Sequence, residues 1–195
     1  MFKAAPPLNR AALRRQLRQQ RRQLSPFQQK IASQKIVLRL RQLAIFKRAK
    51  HIGFYQAADG ELNPLPLLKL ALKHQKHCYL PVLRRFPNHE LGFVRVTTHS
   101  RLHKHRFGFK QPQQKPRLWI HKLDVVCMPL VGFDNYGHRL GMGGGFYDRS
   151  LARKKYHRPF KLGLAHDCQR LDYIEPAPWD MTLDAILTPS MSLFM

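Results

Sequence analysis

The stretch of sequence that decides the fold runs from Val125 to Asp148 and reads VVCMPLVGFDNYGHRLGMGGGFYD. Its first part, Val125 to Val131, is a continuous apolar run and predicts a buried strand. A turn is predicted at residues 134–137, and residues 147–153 are predicted to form the first turns of a helix. Four glycines within residues 141–145 separate the strand from the helix. A strand, a glycine-rich loop and a helix in this order are typical of a phosphate-binding site.

The residues that flank the glycines add chemistry to this loop. Arg139 can donate paired hydrogen bonds to a phosphate, and Asp148 can hold a magnesium ion directly or through water. The glycines let the backbone approach a polyphosphate closely. The loop lacks the Gly-Lys-Ser/Thr ending of the familiar nucleotide-binding loop. The alternative is a tight connection that needs glycine only for its positive backbone angles, but this explains neither Arg139 nor Asp148.

Predicted helices and strands alternate along the rest of the chain. The segment at about residues 8–48 is predicted to be basic and helical, with Leu13 and Leu17 on one face. Within it, Ser25 and Gln28 predict a capping box at the start of a second helix that runs to about residue 46. The other predicted elements are a helix over residues 63–72 and strands near residues 51–55, 77–82, 92–96, 124–131, 161–165 and 183–187. This alternation predicts an α/β fold in which helices cover both faces of a mostly parallel sheet.

Length and composition favour one domain of 195 residues. Hydrophobic residues make up 44% of the chain, which excludes a disordered protein. No apolar run approaches the roughly 20 residues that a membrane span needs, and the N-terminus has arginines where a secretory signal would be apolar. A cytoplasmic protein is therefore expected. Cys78, Cys127 and Cys168 are far apart and predict neither a disulfide framework nor a zinc site.

The chain is strongly basic. Lysine and arginine number 35 against 11 acidic residues, so the formal net charge is +24. Such a charge raises the encounter rate with anions, and nucleic acid is one candidate partner. The basic residues are spread along the chain, however, and no helix-turn-helix or RNA-recognition signature occurs. We therefore expect no specific binding of nucleic acid, only weak and salt-sensitive adhesion.

Together with the glycine loop, several short segments give the chain a sequence that resembles the 5-formyltetrahydrofolate cyclo-ligase family, also called 5,10-methenyltetrahydrofolate synthetases. The loop carries most of this resemblance, which spans nearly the whole chain. It implies a three-layer αβα scaffold like that of sugar-phosphate isomerases and CoA transferases. The other segments, in chain order, are residues 10–14, 53–56, 59–61, 80–82, 129–134 and 179–184.

The resemblance implies an ATP-dependent conversion of 5-formyltetrahydrofolate to 5,10-methenyltetrahydrofolate, with Mg²⁺ as cofactor and with ADP and phosphate released. In the mechanism proposed for the family, the formyl oxygen takes the terminal phosphoryl group of ATP, and N10 then closes the ring as phosphate leaves. Such a reaction requires positioning and positive charge, with no covalent enzyme intermediate. The expected partners are these two substrates, with no membrane, and the protein is expected to be a monomer.

The resemblance also assigns the site residues. Glu61 is expected to accept hydrogen bonds from the amino-pyrimidinone edge of the pterin. The expected magnesium ligands are Asp148 and Asp184. The residues expected to bind ATP are Arg10, Arg14, Arg139, Leu140, Gly141, Met142, Gly143, Gly144, Gly145, Phe146 and Tyr147. The residues expected to bind the folate are Gln56, Glu61, Met142, Gly143, Gly144, Gly145 and Phe146.

Ordinary structural roles are the alternative for several of these residues. Arginines on an amphipathic helix usually form a solvated face, and this is the interpretation of Arg18, Arg21 and Arg22. Glu61 could be an exposed residue of a turn. The pair His166 and Asp167 is interpreted as structural or substrate-lining, because no nucleophile is placed beside it.

Two other functions stay open at this point. The first is a different enzyme on the same scaffold, because a fold alone does not fix a function. Such an enzyme would not need the carboxylates Asp148 and Asp184, which favour a metal-bound nucleotide. The second is a non-catalytic protein associated with RNA, which the charge alone suggests.

Overall fold

The computed structural model describes residues 9–83, 90–104, 110–112, 118–152 and 159–195. Five α-helices and twelve β-strands lie within these ranges. The helices are α1 (Arg10–Arg22), α2 (Pro26–Gln42), α3 (Ala44–Arg48), α4 (Leu65–Lys73) and α5 (Phe146–Leu151). The strands are β1 (His51–Gly53), β2 (His77–Leu83), β3 (Leu91–Val96), β4 (Leu102–Lys104), β5 (Lys110–Pro112), β6 (Leu118–Trp119), β7 (Val125–Pro129), β8 (Gly132–Phe133), β9 (Arg139–Leu140), β10 (Phe160–Leu164), β11 (Ala185–Leu187) and β12 (Ser192–Phe194).

Eight of these strands form one sheet, in the order β12-β11-β10-β7-β1-β2-β3-β6. The five central strands, from β11 to β2, run parallel to one another. The three outer strands β12, β3 and β6 are antiparallel to their neighbours. The prediction of an α/β fold with a mostly parallel sheet is confirmed.

Side chains of the central strand β7 alternate between two apolar cores. Val125 and Cys127 pack in a cluster that includes Ile36 and Leu40 of α2. Val126 and Met128 pack in a second cluster, which also contains residues of α5. Successive side chains of a strand point to opposite faces of its sheet, so both faces of β7 are buried. A strand buried on both faces reads as a continuous apolar run, and this run was the first signal in the sequence.

Some element boundaries differ from the prediction. β7 ends at Pro129, and Gly132–Phe133 leaves the sheet to pair with β9 in a separate hairpin that leads into the glycine loop. The helix predicted up to residue 46 is divided at Leu43, whose backbone is extended. The capping box is confirmed, because the Ser25 hydroxyl accepts from the Gln28 backbone N–H and the Gln28 side chain accepts from that of Ser25.

The parallel strands place one set of loops at a common edge. Tyr55 and Gln56 follow β1, Pro81 lies within β2 and Pro129 ends β7, all toward the carboxyl ends of these strands. In open parallel sheets, ligands bind at this edge. Most of the predicted site residues are found around it.

Candidate active site

A cavity of about 540 Å³ lies at the carboxyl edge of β1, β2 and β7. Its volume falls within the range of small-molecule binding sites. Most of the predicted site residues line it, although they come from distant parts of the chain. Those that do are Arg10, Arg14, Gln56, Glu61, Arg139, Gly141, Met142, Gly143, Gly144, Gly145, Phe146, Tyr147 and Asp148.

The glycine loop forms one wall of this cavity. Gly143 and Gly145 have φ values of +98° and +62°, a region that residues with a β-carbon adopt rarely. Helix α1 reaches this wall, because the Nε of Arg14 donates to the carbonyl oxygen of Gly141 at 2.8 Å. Leu140, which was predicted to bind ATP, does not line the cavity. It is fully buried in a small core with Leu17, because side chains alternate along β9 and Arg139 takes the other side.

An ion pair joins the two polar residues that flank the glycines. The Nη2 of Arg139 donates to Oδ1 of Asp148 at 2.7 Å, and Arg139 is only 5% exposed. The backbone N–H of Met181 donates to the same carboxylate oxygen at 3.1 Å. Asp148 therefore closes the loop by fixing Arg139 and the segment that contains Met181, in addition to presenting a carboxylate to the cavity.

Asp184 is not brought to this cavity. It precedes β11 and lies beside Lys161, whose Nζ is 2.8 Å from Oδ1 and whose backbone N–H donates to Oδ2 at 2.7 Å. The strand register places Lys161 opposite Val126, three residues before the carboxyl end of β7. At about 3.3 Å per residue, this puts Asp184 roughly 10 Å below the edge that carries the cavity. Asp148 therefore lines the cavity and Asp184 does not, and the pairing of the two as magnesium ligands stays a prediction.

Two cavity residues, Trp179 and Asp180, were absent from the sequence-based site. The Asp180 carboxylate accepts from Nη2 of Arg10 at 2.8 Å, so the first residue of α1 is tied to the cavity wall. Trp179 is 72% exposed and lines the cavity. The sequence signal for them was the segment 179–184, which carries part of the family resemblance although no role was assigned to either residue.

Glu61 also lines the cavity and is not an exposed turn residue. Its side chain is 9% exposed, and its Oε2 accepts from the backbone N–H of Ala58 at 3.1 Å. Burial raises the pKa of Glu61 to about 7, and the positive charge of Arg21 opposes this shift. Nearby, burial raises the pKa of Tyr147, whose hydroxyl is buried and makes no hydrogen bond with any described residue. The cavity wall thus holds a mostly buried carboxyl and a buried phenol that has no hydrogen-bond partner among the described residues.

The burial of Glu61 should make the stability of the protein depend on pH. Its pKa is about 7 when folded and near 4.5 when exposed, so the folded state binds more protons between these values. Stability from this group is present below pH 4.5 and is lost as the pH rises to 7. Glu61→Gln should therefore raise the free energy of unfolding by up to about 3 kcal/mol at pH 8. The free energy of unfolding, measured in urea, should rise little for Glu61→Gln at pH 4.5. Glu175 is exposed, and Glu175→Gln should not raise the free energy of unfolding at either pH.

Three arginines of α1 that were interpreted as a solvated face all bind one carboxylate. Arg18, Arg21 and Arg22 each form an ion pair with Asp59, in the turn that carries Glu61. Arg21 is completely buried, and the expectation of solvation is wrong for it. The helix packs this side against the turn, so the carboxylate and backbone oxygens of the turn replace water as acceptors.

The pair His166 and Asp167 lies outside the cavity. His166 is buried, and burial lowers its pKa. Asp167 accepts from the hydroxyl of Ser190 at 2.6 Å. Gln169 completes this turn, because its amide donates to the carbonyl oxygen of Leu130 at 2.7 Å. Of the two interpretations of the pair, the structure favours the structural one.

Among the described residues, no helix is both long and apolar enough to cross a bilayer. Within the same residues, no group of three or more histidine, cysteine, aspartate or glutamate side chains is arranged to hold a metal ion by itself.

Comparison with known proteins agrees with the geometry. The profile of the 5-formyltetrahydrofolate cyclo-ligase family matches residues 8–189. The chain is 38% identical to the 5-formyltetrahydrofolate cyclo-ligase of Escherichia coli K12 over 176 residues, which cover 89% of this chain and 97% of that protein. It is 35% identical to the enzyme of Haemophilus influenzae over 180 residues, which cover 91% of this chain and 96% of that one.

Solved structures show the same relationship. The NMR structure of Aquifex aeolicus 5,10-methenyltetrahydrofolate synthetase superposes with a TM-score of 0.82 at 30% identity and covers 95% of this chain and 92% of its own. The synthetase from Mycoplasma pneumoniae superposes with a TM-score of 0.72 at 26% identity, covering 93% and 99%. The match covers the helix α1, the glycine loop and the sheet edge between them. The chain therefore belongs to the 5-formyltetrahydrofolate cyclo-ligase family, the enzymes that convert 5-formyltetrahydrofolate to 5,10-methenyltetrahydrofolate with ATP.

Proposed function

We propose that the cavity is the active site of this cyclo-ligase and that it holds the two substrates side by side. The observation that carries the proposal is that one cavity joins the glycine loop and its arginines to the buried carboxyl of Glu61. The first wall has the chemistry of a phosphate site, and the second has a carboxyl that can recognise the amino-pyrimidinone edge of a pterin. The two substrates can therefore meet between them.

ATP is assigned to the wall formed by α1 and the glycine loop. Arg14 donates a hydrogen bond to the carbonyl oxygen of Gly141, and Arg139 donates one to the Asp148 carboxylate. Their guanidinium groups supply positive charge where the terminal phosphate would transfer. Phosphoryl transfer needs little more than alignment and such charge. The positive φ values of Gly143 and Gly145 shape the loop so that its backbone N–H groups can face the phosphate oxygens.

The folate is assigned to the wall formed by the turn at Glu61. An ionised Glu61 can accept two parallel hydrogen bonds from the pterin, and burial would make these bonds strong. Gln56 and Phe146 also line the cavity and can contact the ring system. With the formyl oxygen aligned to the terminal phosphate, a P–O bond to ADP breaks as the bond to the formyl oxygen forms. N10 then attacks the activated carbon and loses its proton as the C–O bond breaks, so phosphate is released, the proton leaves with it, and the methenyl bridge remains.

The carboxylates of the cavity fit a magnesium ion. Asp148 and Asp180 both line it, and each already lies within 2.8 Å of a guanidinium nitrogen, so this part of the wall is rich in charge of both signs. Mg²⁺ typically takes one or two carboxylates and completes its shell with water and phosphate oxygens. Asp148 is the residue assigned to it here, and Asp180 is a second carboxylate of the cavity wall. The ion would neutralise charge on the phosphates.

One assay tests the proposed function. Formation of 5,10-methenyltetrahydrofolate from 5-formyltetrahydrofolate is followed by absorbance, together with the release of ADP. We expect both products in equal amounts, and neither when ATP or the divalent ion is left out. Methenyl formation without ATP would contradict the proposal and favour another enzyme on the same scaffold. The monomeric state and the cytoplasmic location stay predictions.

A further inference from the structure

A cluster of charges behind Glu61 has no part in the function proposed above. Its centre is Asp59, which is 17% exposed and accepts from Nη2 of Arg21 at 2.9 Å and from Nε of Arg18 at 2.6 Å. Arg22 also pairs with this carboxylate but is more than half exposed. Although burial alone would raise it, hydrogen bonds from these three arginines lower the pKa of Asp59. The carboxylate therefore stays ionised and bound.

Arg21 differs from its two neighbours because it is completely buried. Its Nε donates to the backbone carbonyl of Asp59 at 2.8 Å, and its Nη1 donates to the carbonyl of Leu130 at 3.3 Å. Arg21 thus hydrogen-bonds both the side chain and the backbone of Asp59, and it links this turn to the segment after β7. Its Nη2 also lies 3.9 Å from Oε1 of Glu61. A guanidinium offers five donors in a fixed plane, and a buried one is held by the acceptors around it.

The turn that Arg21 grips has an unusual backbone. Asp59 and Gly60 are its central residues, with φ values of +53° and +74°, and the N–H of Glu61 donates to the carbonyl of Ala58 at 2.9 Å. Two successive residues with positive φ give a turn that glycine, asparagine and aspartate tolerate best. A non-glycine residue keeps such a conformation only where its surroundings hold it. Here the surroundings of Asp59 are the arginines of α1.

We propose that Arg21 is a positioning residue for the folate, which acts by holding the turn at Asp59 and thereby the orientation and ionisation of Glu61. The proposal rests on the assignment of Glu61 to the pterin. Helix α1 would then serve both substrates, because it contacts the glycine loop through Arg14 and the turn through Arg21.

The charge of Arg21 has its own consequence for Glu61. A positive group 3.9 Å away favours the carboxylate form, and without it the carboxyl would ionise at a higher pH. Burial sets the starting point for this effect, because it raises the pKa of Glu61 to about 7. The charged and titratable groups that act on Glu61 are Arg18 and Arg21 from α1, Asp59 from its own turn, Tyr55 from the segment after β1 and Tyr147 from α5.

The test compares Arg21→Gln with Arg15→Gln, which removes an exposed arginine from the same helix. Steady-state kinetics are measured from pH 6 to pH 9 with each substrate varied in turn. For Arg21→Gln we expect the KM for 5-formyltetrahydrofolate at pH 7.5 to rise by about tenfold or more, while the KM for ATP changes by less than about twofold. The pH midpoint of the folate KM should move upward by about half a unit or more. Arg15→Gln should match the wild type in all three.

Asp59→Asn separates the two contributions of Arg21. Asparagine tolerates the same backbone conformation, so the turn can be kept. The substitution removes the carboxylate that pairs with Arg21 and leaves the charge of Arg21 in place. It should raise the folate KM without an upward shift of the pH midpoint. The double variant should be no worse in folate KM than Arg21→Gln, because the two residues act through one contact. Should Arg21→Gln fail to fold, Arg21→Lys, which keeps the charge and loses the planar grip, is expected to behave as Asp59→Asn.

The proposal is overturned by a folate KM that does not change, by an equal rise in both KM values, or by a fall in kcat alone with an unmoved pH midpoint. Glu61→Gln, measured in parallel, distinguishes the role of Arg21 from the assignment of Glu61 to the pterin. If Glu61→Gln leaves the folate KM unchanged, the pterin assignment itself fails. If Glu61→Gln weakens folate binding and Arg21→Gln does not, only the role of Arg21 is lost.

Discussion

Asp148→Asn, with the fold intact, is expected to lower turnover by about two orders of magnitude or more, the scale seen when a group that stabilises transition-state charge is removed. Asparagine keeps one oxygen for Arg139 and the Met181 N–H but loses the negative charge that fixes the arginine and suits a divalent ion. Stopped-flow or steady-state absorbance assays at saturating ATP and magnesium measure the effect. Near wild-type turnover under these conditions would show that Asp148 is not a magnesium ligand.

Two further carboxylates serve as comparisons for this variant. Asp172 is exposed and does not line the cavity, so Asp172→Asn should leave turnover unchanged. Asp184 lies below the cavity on Lys161, so Asp184→Asn should alter stability more than chemistry. A loss of turnover in Asp184→Asn as large as in Asp148→Asn, with an unchanged melting temperature, would support the pairing of Asp148 with Asp184 that the family resemblance implies.

Glu61→Gln should weaken the binding of 5-formyltetrahydrofolate by about 2–5 kcal/mol, because the amide would face the pterin's own donors with a donor in a buried site. The affinity for ATP should hardly change, since ATP is assigned to the wall formed by the glycine loop. Calorimetry with each substrate alone measures both affinities. An equal weakening of ATP binding would show that Glu61 is not specific to the folate. Because the same variant is expected to stabilise the fold at high pH, unfolding cannot account for the loss.

The sequence was most informative where a local pattern was sufficient. The apolar run of β7 predicted a buried strand, and residues 134–137 predicted a turn; both were found, the turn lying between β8 and β9. Ser25 and Gln28 predicted a helix start to the residue, because a capping box involves only neighbours in the chain. The division at Leu43 was not predictable in this way, since helical propensity continues through it.

The environment of charged residues was the least predictable part. Arg21 looks like Arg18 and Arg22 in the sequence, yet only Arg21 is fully buried. Which arginine is buried depends on the rotation of α1 against a turn 38 residues away, and no local pattern encodes that. Asp180 was not among the predicted site residues, although it lines the cavity. Asp184, which was predicted as a metal ligand, lies just before β11 beside Lys161 and does not line the cavity, because the strand register sets its height in the sheet.

The arginine cluster on Asp59 accounts for part of the high positive charge of the chain. Three guanidinium groups share one carboxylate there, so the cluster keeps a surplus of two positive charges beside the substrate cavity. Part of the +24 is thus held near the cavity by ion pairs with Asp59. Both substrates are polyanions, so this surplus attracts them before any contact forms and speeds their arrival at low ionic strength. The arginines of helix α1 then provide fixed positive charge when the substrates lose the cations that accompany them in solution.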